Sequence, residues 1–260
     1  MNILDEICKN KKIEIKNEKN KYSLNTLEKL IKNKKNRGFK SLLKQKENDK
    51  KINIIGEIKK SSPSAGIIVN NYNPINIAIN YEKSGVGAIS VLTEKKFFNG
   101  ELDHISIINK NVNIPILRKD FIIDPYQVAQ SKFYKADAIL LIMSILSLNQ
   151  AIEILDISKK YEIDCLIEVH NEKEIESALK LNNNLIGINN RNLSDLTVDL
   201  NNVKNLIRNI PKDYTVVAES GIKVKNDISL YNSLGIYNFL IGESLLKSKD
   251  INKKIKEFTN

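Results

Sequence analysis

From residue 52 onward, short apolar runs rich in β-branched residues alternate with longer stretches of helical period, and this alternation constrains the fold more than any single motif does. The runs cover 52–58, 88–92, 114–117, 138–142, 165–169, 185–188, 215–218 and 238–241. Between them, stretches such as 125–134, 149–161, 172–181 and 201–209 carry apolar residues at three- and four-residue intervals, as helices with one face on a sheet must. Strand followed by helix, repeated eight times, predicts an α/β fold, a closed parallel (β/α)8 TIM barrel. A doubly wound open sheet would carry a Gly-rich fingerprint after its first strand, and 57–64 has no GxGxxG. Before the first strand, Ile3, Leu4 and Ile7, then Leu24, Leu27, Leu30 and Ile31, repeat at helical spacing, so extra N-terminal helices packed on the barrel are expected. The chain therefore reads as a single domain, 1–260, with a helical extension over 1–50 and the barrel over 51–260.

Several function classes are excluded by what the chain lacks. Its longest apolar stretch, 138–143, is far shorter than the about 20 residues of a membrane span, and Asp5 and Glu6 interrupt the start where a signal peptide would be apolar. A cytoplasmic location and no membrane partner are expected. Cys8 and Cys165 form neither a CxxC pair nor a zinc-spaced cluster, which points to no metal and no disulfide. The net charge of +10 raises the question of nucleic acid, but the lysines are spread out beside Asn and Glu, without the interleaved aromatics and Arg of a base-reading surface. No nucleic-acid partner is expected.

In a parallel barrel the chemistry belongs at the carboxyl ends of the strands. The first strand ends in Glu57-Ile58-Lys59, and strand periodicity puts the acid and the base on one face, as either a structural pair or a proton relay. The third ends in Arg118-Lys119-Asp120, where burial and neighbouring cations are expected to lower the Lys119 pKa toward that of a useful general acid. Glu168 sits inside the apolar run of the fifth, costly unless paired or functional. The sixth supplies Asn189, Asn190 and Arg191, the seventh Glu219-Ser220-Gly221, and the eighth Gly242-Glu243. Glycines after the last two strands, with a short helix starting near Glu243, suggest a phosphate cradle. His104 and His170 share no motif and are expected to be loop or structural residues. Phe98, beside Asn99-Gly100, is either simple packing or the wall of a ring pocket.

Taken together, residues 56–64 (GEIKKSSPS), 90–94 (SVLTE), 117–127 (LRKDFIIDPYQ), 186–191 (IGINNR), 219–222 (ESGI) and 239–245 (FLIGESL) resemble the indole-3-glycerol-phosphate synthase family over nearly the whole chain. The resemblance implies a decarboxylating, dehydrating ring closure of 1-(2-carboxyphenylamino)-1-deoxyribulose 5-phosphate to indole-3-glycerol phosphate in tryptophan biosynthesis, with no cofactor. It implies that Lys119 protonates the ketose carbonyl, that Glu168 carries later proton transfers, and that Lys59 holds the anionic end of the substrate with Glu57 relaying protons. Asn189, Ser220 and Arg191 match polar contacts around the reacting portion, and Ser62 and Glu219 further substrate contacts. Phe98 and Phe121 match the walls of the aromatic slot, and Gly221, Gly242 and Glu243 fall at the phosphate site. Two departures stand out: 133–136 (FYKA) lacks the glycine common before the fourth strand, and Glu243 replaces a small residue.

The expected partner is thus a small phosphorylated molecule. The protein is expected to be a monomer, with a homodimer as the alternative, and to be monofunctional, since no second barrel follows. A phosphoribosylanthranilate isomerase would share the phosphate site but would not explain Lys59, Lys119 and Glu168 together. A non-catalytic relative would be marked by loss of one of the three.

Overall fold

The structure, a computed structural model, describes residues 3–31 and 35–259. Parts of the expected 1–50 extension, residues 1–2 and 32–34, lie outside the described residues. The barrel strands are β1 (Asn53–Ile58), β2 (Ala88–Leu92), β3 (Ile116–Lys119), β4 (Ala138–Ile142), β5 (Asp164–Val169), β6 (Leu185–Asn189), β7 (Thr215–Glu219) and β8 (Asn238–Ile241). Each pairs in parallel with its sequence neighbours, and β1 pairs β8 to close the ring. Helices α1 (Ile3–Lys21), α2 (Leu24–Leu30) and α3 (Phe39–Asn48) precede the barrel. Its outer helices are α4 (Pro74–Lys83), α5 (Asp103–Asn109), α6 (Tyr126–Phe133), α7 (Leu148–Lys160), α8 (Glu172–Ala178), α9 (Asn201–Leu206), α10 (Lys225–Asn232), α11 (Glu243–Leu246) and α12 (Ile251–Thr259).

Side-chain alternation along the strands builds two apolar layers. Ile55, Leu117, Leu140, Leu166, Leu185 and Leu240 fill the barrel interior. Their strand neighbours Ile54, Ile116, Ile139, Ile167 and Ile186 point the other way, into the layer under the outer helices. The N-terminal helices meet both ends of the interior cluster. Phe39 and Leu43 of α3 are fully buried against it below, and Ile7 of α1 joins it through Phe121 at the mouth. Truncating a side chain buried like Phe39 costs about 3–5 kcal/mol. Polar contacts fix the same docking: Arg37 pairs with Asp137 at 2.8 Å, and the buried Lys11 ammonium lies 2.9 Å from Asp120.

The third strand differs from the apolar run that announced it. It ends at Lys119 rather than at residue 117, because Arg118 and Lys119 take strand geometry with their charges on opposite faces. Arg118 turns outward into a buried network with the Gln130 and Ser131 side chains and the Gln127 carbonyl, while Lys119 turns into the mouth. A hydropathy pattern cannot register polar side chains whose burial depends on specific partners. The polar stretch after β1 also contains an unforeseen short antiparallel pairing, Ser61–Ser62 with Gly66–Ile67.

The missing glycine before β4 has a conformational cost. After α6 the chain turns back through Lys135 at φ 72°, with Ala136 N–H donating to Ser131 C=O at 3.0 Å, the helix-ending geometry that usually carries glycine. Gly85 and Gly235 fill the corresponding turns before β2 and β8 at φ 88° and 86°. Lys135 is exposed, so its side chain offers little packing in return. Lys135→Gly is expected to stabilise the fold by about 0.5–1 kcal/mol, the relieved left-handed strain exceeding the added chain entropy. A thermal midpoint raised by roughly 2 °C would register it, and a lowered midpoint would count against the strain.

Candidate active site

At the carboxyl end of the barrel, charges from four strands converge. Lys119 Nζ lies 3.1 Å from Glu168 Oε2 and 3.3 Å from Glu219 Oε2, so β3, β5 and β7 meet at one ammonium. On β1, Glu57 Oε1 accepts from Lys59 Nζ. All three carboxylates are buried, at 4% exposure or less.

Two glycines make room for them. A side chain at Gly187 on β6 would meet Glu219 Oε1 at 2.2 Å, and one at Gly242 would meet Glu57 Oε1 at 2.5 Å. Glycine on β6 and just past β8 thus leaves the space these two buried acids occupy.

The electrostatics correct the expectation for Lys119. Burial alone would lower its pKa, but the carboxylates of Glu168, Glu219 and Glu57 outweigh burial and hold it above the usual lysine value. The flanking cation that the sequence suggested, Arg118, points away. Burial works against ionisation of Glu168 as well, yet Lys119 and His170 hold it below the usual carboxylate range. Glu219 goes the other way: burial, reinforced by the Glu168 charge and only partly opposed by Lys119, pushes it up to about 8. Two neighbouring carboxyls are thus divided into one ionised and one protonated at neutral pH, the environment-driven split that supports acid–base chemistry.

Around this centre lies an open cleft. Of the catalytic and binding residues that the family resemblance implied, all but Glu219 and Gly242 line it; those two stand behind Lys119 and Glu57. Phe98 and Phe121 face each other with centroids 6.3 Å apart. Glu94 creates the turn that presents Phe98, accepting the backbone N–H groups of Lys96, Phe97 and Phe98. Opposite the phenylalanines, Ile3, Leu4 and Ile7 of α1 complete an apolar wall. On the far side Arg191 donates to Leu196 C=O at 2.8 Å and to Ser64 Oγ at 3.3 Å, joining the loops after β6 and β1. Ser220 and Gly221 both have positive φ, 64° and 80°, and a side chain at 221 would also strike Val198 and Leu200 at 2.7 Å. A non-glycine residue held in that region is strained, and such strain gathers at functional turns.

A family model described as indole-3-glycerol phosphate synthase matches residues 4–258. The chain belongs to the indole-3-glycerol phosphate synthase family. The synthase of Caldanaerobacter subterraneus subsp. tengcongensis is 46% identical over 256 residues, covering 98% of this chain and 97% of that protein. That of Acetivibrio thermocellus is 43% identical over 259 residues, covering 98% of each. Among solved structures, 3-hexulose-6-phosphate synthase from Salmonella typhimurium aligns with a TM-score of 0.64 at 10% identity, over 80% of this chain and 97% of that one. Thiamine phosphate pyrophosphorylase from Pyrococcus furiosus aligns at 0.58 and 15% identity, over 80% and 93%. At such identities these two share the barrel fold alone.

Within this member of the indole-3-glycerol phosphate synthase family, some residues at the site were missed from the sequence. The α1 trio was seen only as a helical stripe, since apolar residues fifty or more positions before the first catalytic candidate carry no chemical signal. Asp120, bonded to Thr93 at 2.7 Å and paired with Lys11 and Arg118, holds the strand end that bears Lys119. His104 lies against Tyr72 and away from the cleft, but His170, also set aside, has Nε2 3.2 Å from Glu168 Oε1. Its position two residues after Glu168, just past the end of the same strand, was the available signal. Glu243 stands at the cleft and pairs with Lys247 at 2.6 Å, a contact that lowers its pKa. Among the described residues no cluster of His, Cys, Asp and Glu has the form of a metal site, and no helix is long and apolar enough to cross a membrane.

Proposed function

We propose that this chain closes the indole ring of indole-3-glycerol phosphate from 1-(2-carboxyphenylamino)-1-deoxyribulose 5-phosphate, with release of carbon dioxide and water. The observation that carries this reading is one ammonium, Lys119, set among buried carboxyls and beside an apolar slot at the same barrel mouth. The slot between Phe98, Phe121 and α1 suits the aryl ring, and Lys59 and Arg191 suit the substrate's negative groups. Lys119 is charged when substrate arrives, so it acts as the acid: the ketose oxygen takes its proton as the ring carbon bearing the carboxylate attacks the carbonyl carbon. Loss of carbon dioxide restores aromaticity. Departure of the hydroxyl as water takes a second proton from the Lys59–Glu57 pair, and Glu168 accepts the proton lost from the neighbouring carbon. Glu57 relays protons with Lys59, Asn189 and Ser220 hold the reacting portion, and Ser62 adds a contact, whereas Glu219 acts from behind Lys119 rather than on the substrate. Gly221, Gly242 and Glu243 form the phosphate end.

The direct test is to supply the arylamino ketose phosphate to the purified protein and follow indole absorbance and fluorescence. Folded protein that forms no indole overturns the reading. Glu243 places a carboxylate beside the proposed phosphate, so Glu243→Ala is expected to lower KM severalfold with kcat little changed, as removal of a repulsion common to ground and transition states requires. An unchanged or raised KM would move the phosphate elsewhere. A single domain comprising the 1–50 extension and the 51–260 barrel, and a cytoplasmic monomer with a homodimer as alternative, belong to the same reading. Light scattering distinguishes the two oligomeric states.

A further inference from the structure

His170 has no part in the reaction as described, yet it is held more elaborately than a loop residue needs. Its ring Nδ1 lies 3.0 Å from Glu174 Oε2 at the start of α8, and its Nε2 lies 3.2 Å from Glu168 Oε1. Glu174 is itself fixed by the His170 backbone N–H at 2.8 Å and by Asn171 Nδ2 at 2.7 Å. The imidazole therefore sits between a carboxylate anchored on a helix, at hydrogen-bond distance, and the carboxylate at the reaction centre, which it meets at ion-pair distance without an aligned hydrogen bond. Glu168 presents Oε1 to His170 and Oε2 to Lys119, with the Asn189 side chain as a further donor. The other charged groups lining the pocket beside His170 and Glu174 come from the loop after β6, Arg191 and Asp199.

We propose that His170 and Glu174 are positioning residues for Glu168, a fixed imidazolium that orients the carboxylate so that Oε2 faces the reacting carbon and keeps it ionised while Lys119 is without its proton. The second half follows from the order of events. When Lys119 gives its proton to the substrate oxygen, Glu168 loses the counter-charge at Oε2, and His170 is the cation that remains at Oε1. Burial disfavours the charged ring, but Glu168 and Glu174 outweigh burial and raise its pKa to about 10, so the imidazolium persists at neutral pH. The competing role is structural: Glu174 accepts from the turn before α8 and could merely close that helix start. A structural staple leaves the ionisation of Glu168 unchanged in whatever fraction of the protein is folded.

This inference rests on the reading of Glu168 as a proton-transfer group, and the variants are chosen to separate the two. His170→Asn keeps a polar contact without the charge, and Glu174→Gln removes the anchor without touching the ring. In His170→Asn, kcat is expected to fall about tenfold to a hundredfold, within the span that acid–base positioning commands, with KM nearly unchanged. Loss of a cation beside a carboxylate raises that carboxylate's pKa, so the acidic limb of the kcat profile is expected to move up by at least about one pH unit. Glu174→Gln is expected to move it the same way by less, and gives the same readout should His170→Asn not fold. If both limbs stay where they are in the wild type, while Glu168→Gln is inactive, this proposal alone is overturned. A fully active Glu168→Gln overturns the reading beneath it.

Discussion

Lys119→Ala is expected to lower kcat by about 10³-fold or more, near the upper range for a positioned acid, while circular dichroism shows the barrel intact. The substitution removes the proton donor, and among the described residues no other cation pairs with both Glu168 and Glu219. It also leaves two buried carboxyls without their shared cation, which gives the variant a second signature. In the wild type Glu168 is held below its ordinary value, so its contribution to stability is full at neutral pH and is lost only as pH falls through the folded-state value. Without Lys119, Glu168 loses the largest influence favouring its charged form, and its pKa rises although His170 still opposes burial. Stability of the variant relative to wild type should accordingly improve as pH is lowered through the raised value, from roughly 7 to 4. Thermal midpoints across that range check the sign, and single-turnover assays check the rate. A variant with wild-type kcat would remove Lys119 from the role of acid.

Glu168→Gln is expected to reduce kcat about 10²- to 10³-fold with a much smaller change in KM. Glutamine keeps the shape of the side chain and its ability to accept from Lys119, so binding geometry survives. It cannot accept and return a proton, and the lost effect appears only in the transition state. A change confined to KM would make Glu168 a substrate-holding residue. Because the amide carries no charge, Lys119 also loses the largest of the influences raising its pKa, and the basic limb of the remaining activity should move to lower pH.

Much of the barrel was legible because its signals are local. The run 138–142 coincides with β4, and 88–92 with β2, since every residue in them is buried and apolar or small. Lys59, Lys119 and Glu168 were legible as well, because a charge at the end of an apolar run is conspicuous whatever surrounds it. Their surroundings were not. Arg118 is next to Lys119 in sequence and suggested a lowered pKa, whereas the groups that determine it come from β1, β5 and β7. Gly242 read as a phosphate residue and Gly187 only as part of a motif, and each makes the space that a buried carboxylate on a neighbouring strand occupies. His170 carried no motif, and its geometry with Glu168 emerges only when strand register brings both side chains to the mouth.

The sequence by itself determined the order of strands and helices and which strand ends bear charge, because periodicity and hydropathy act over a few residues at a time. Only the tertiary structure decided which of those charges face each other. Glu57, Lys119, Glu168 and Glu219 are separated by about fifty to sixty positions each, and what one does to the protonation of another depends on separations of a few ångströms that barrel closure alone creates. For the same reason the apolar wall donated by α1 could be read only as a stripe, until its docking through Lys11 and Asp120 brought it over the site.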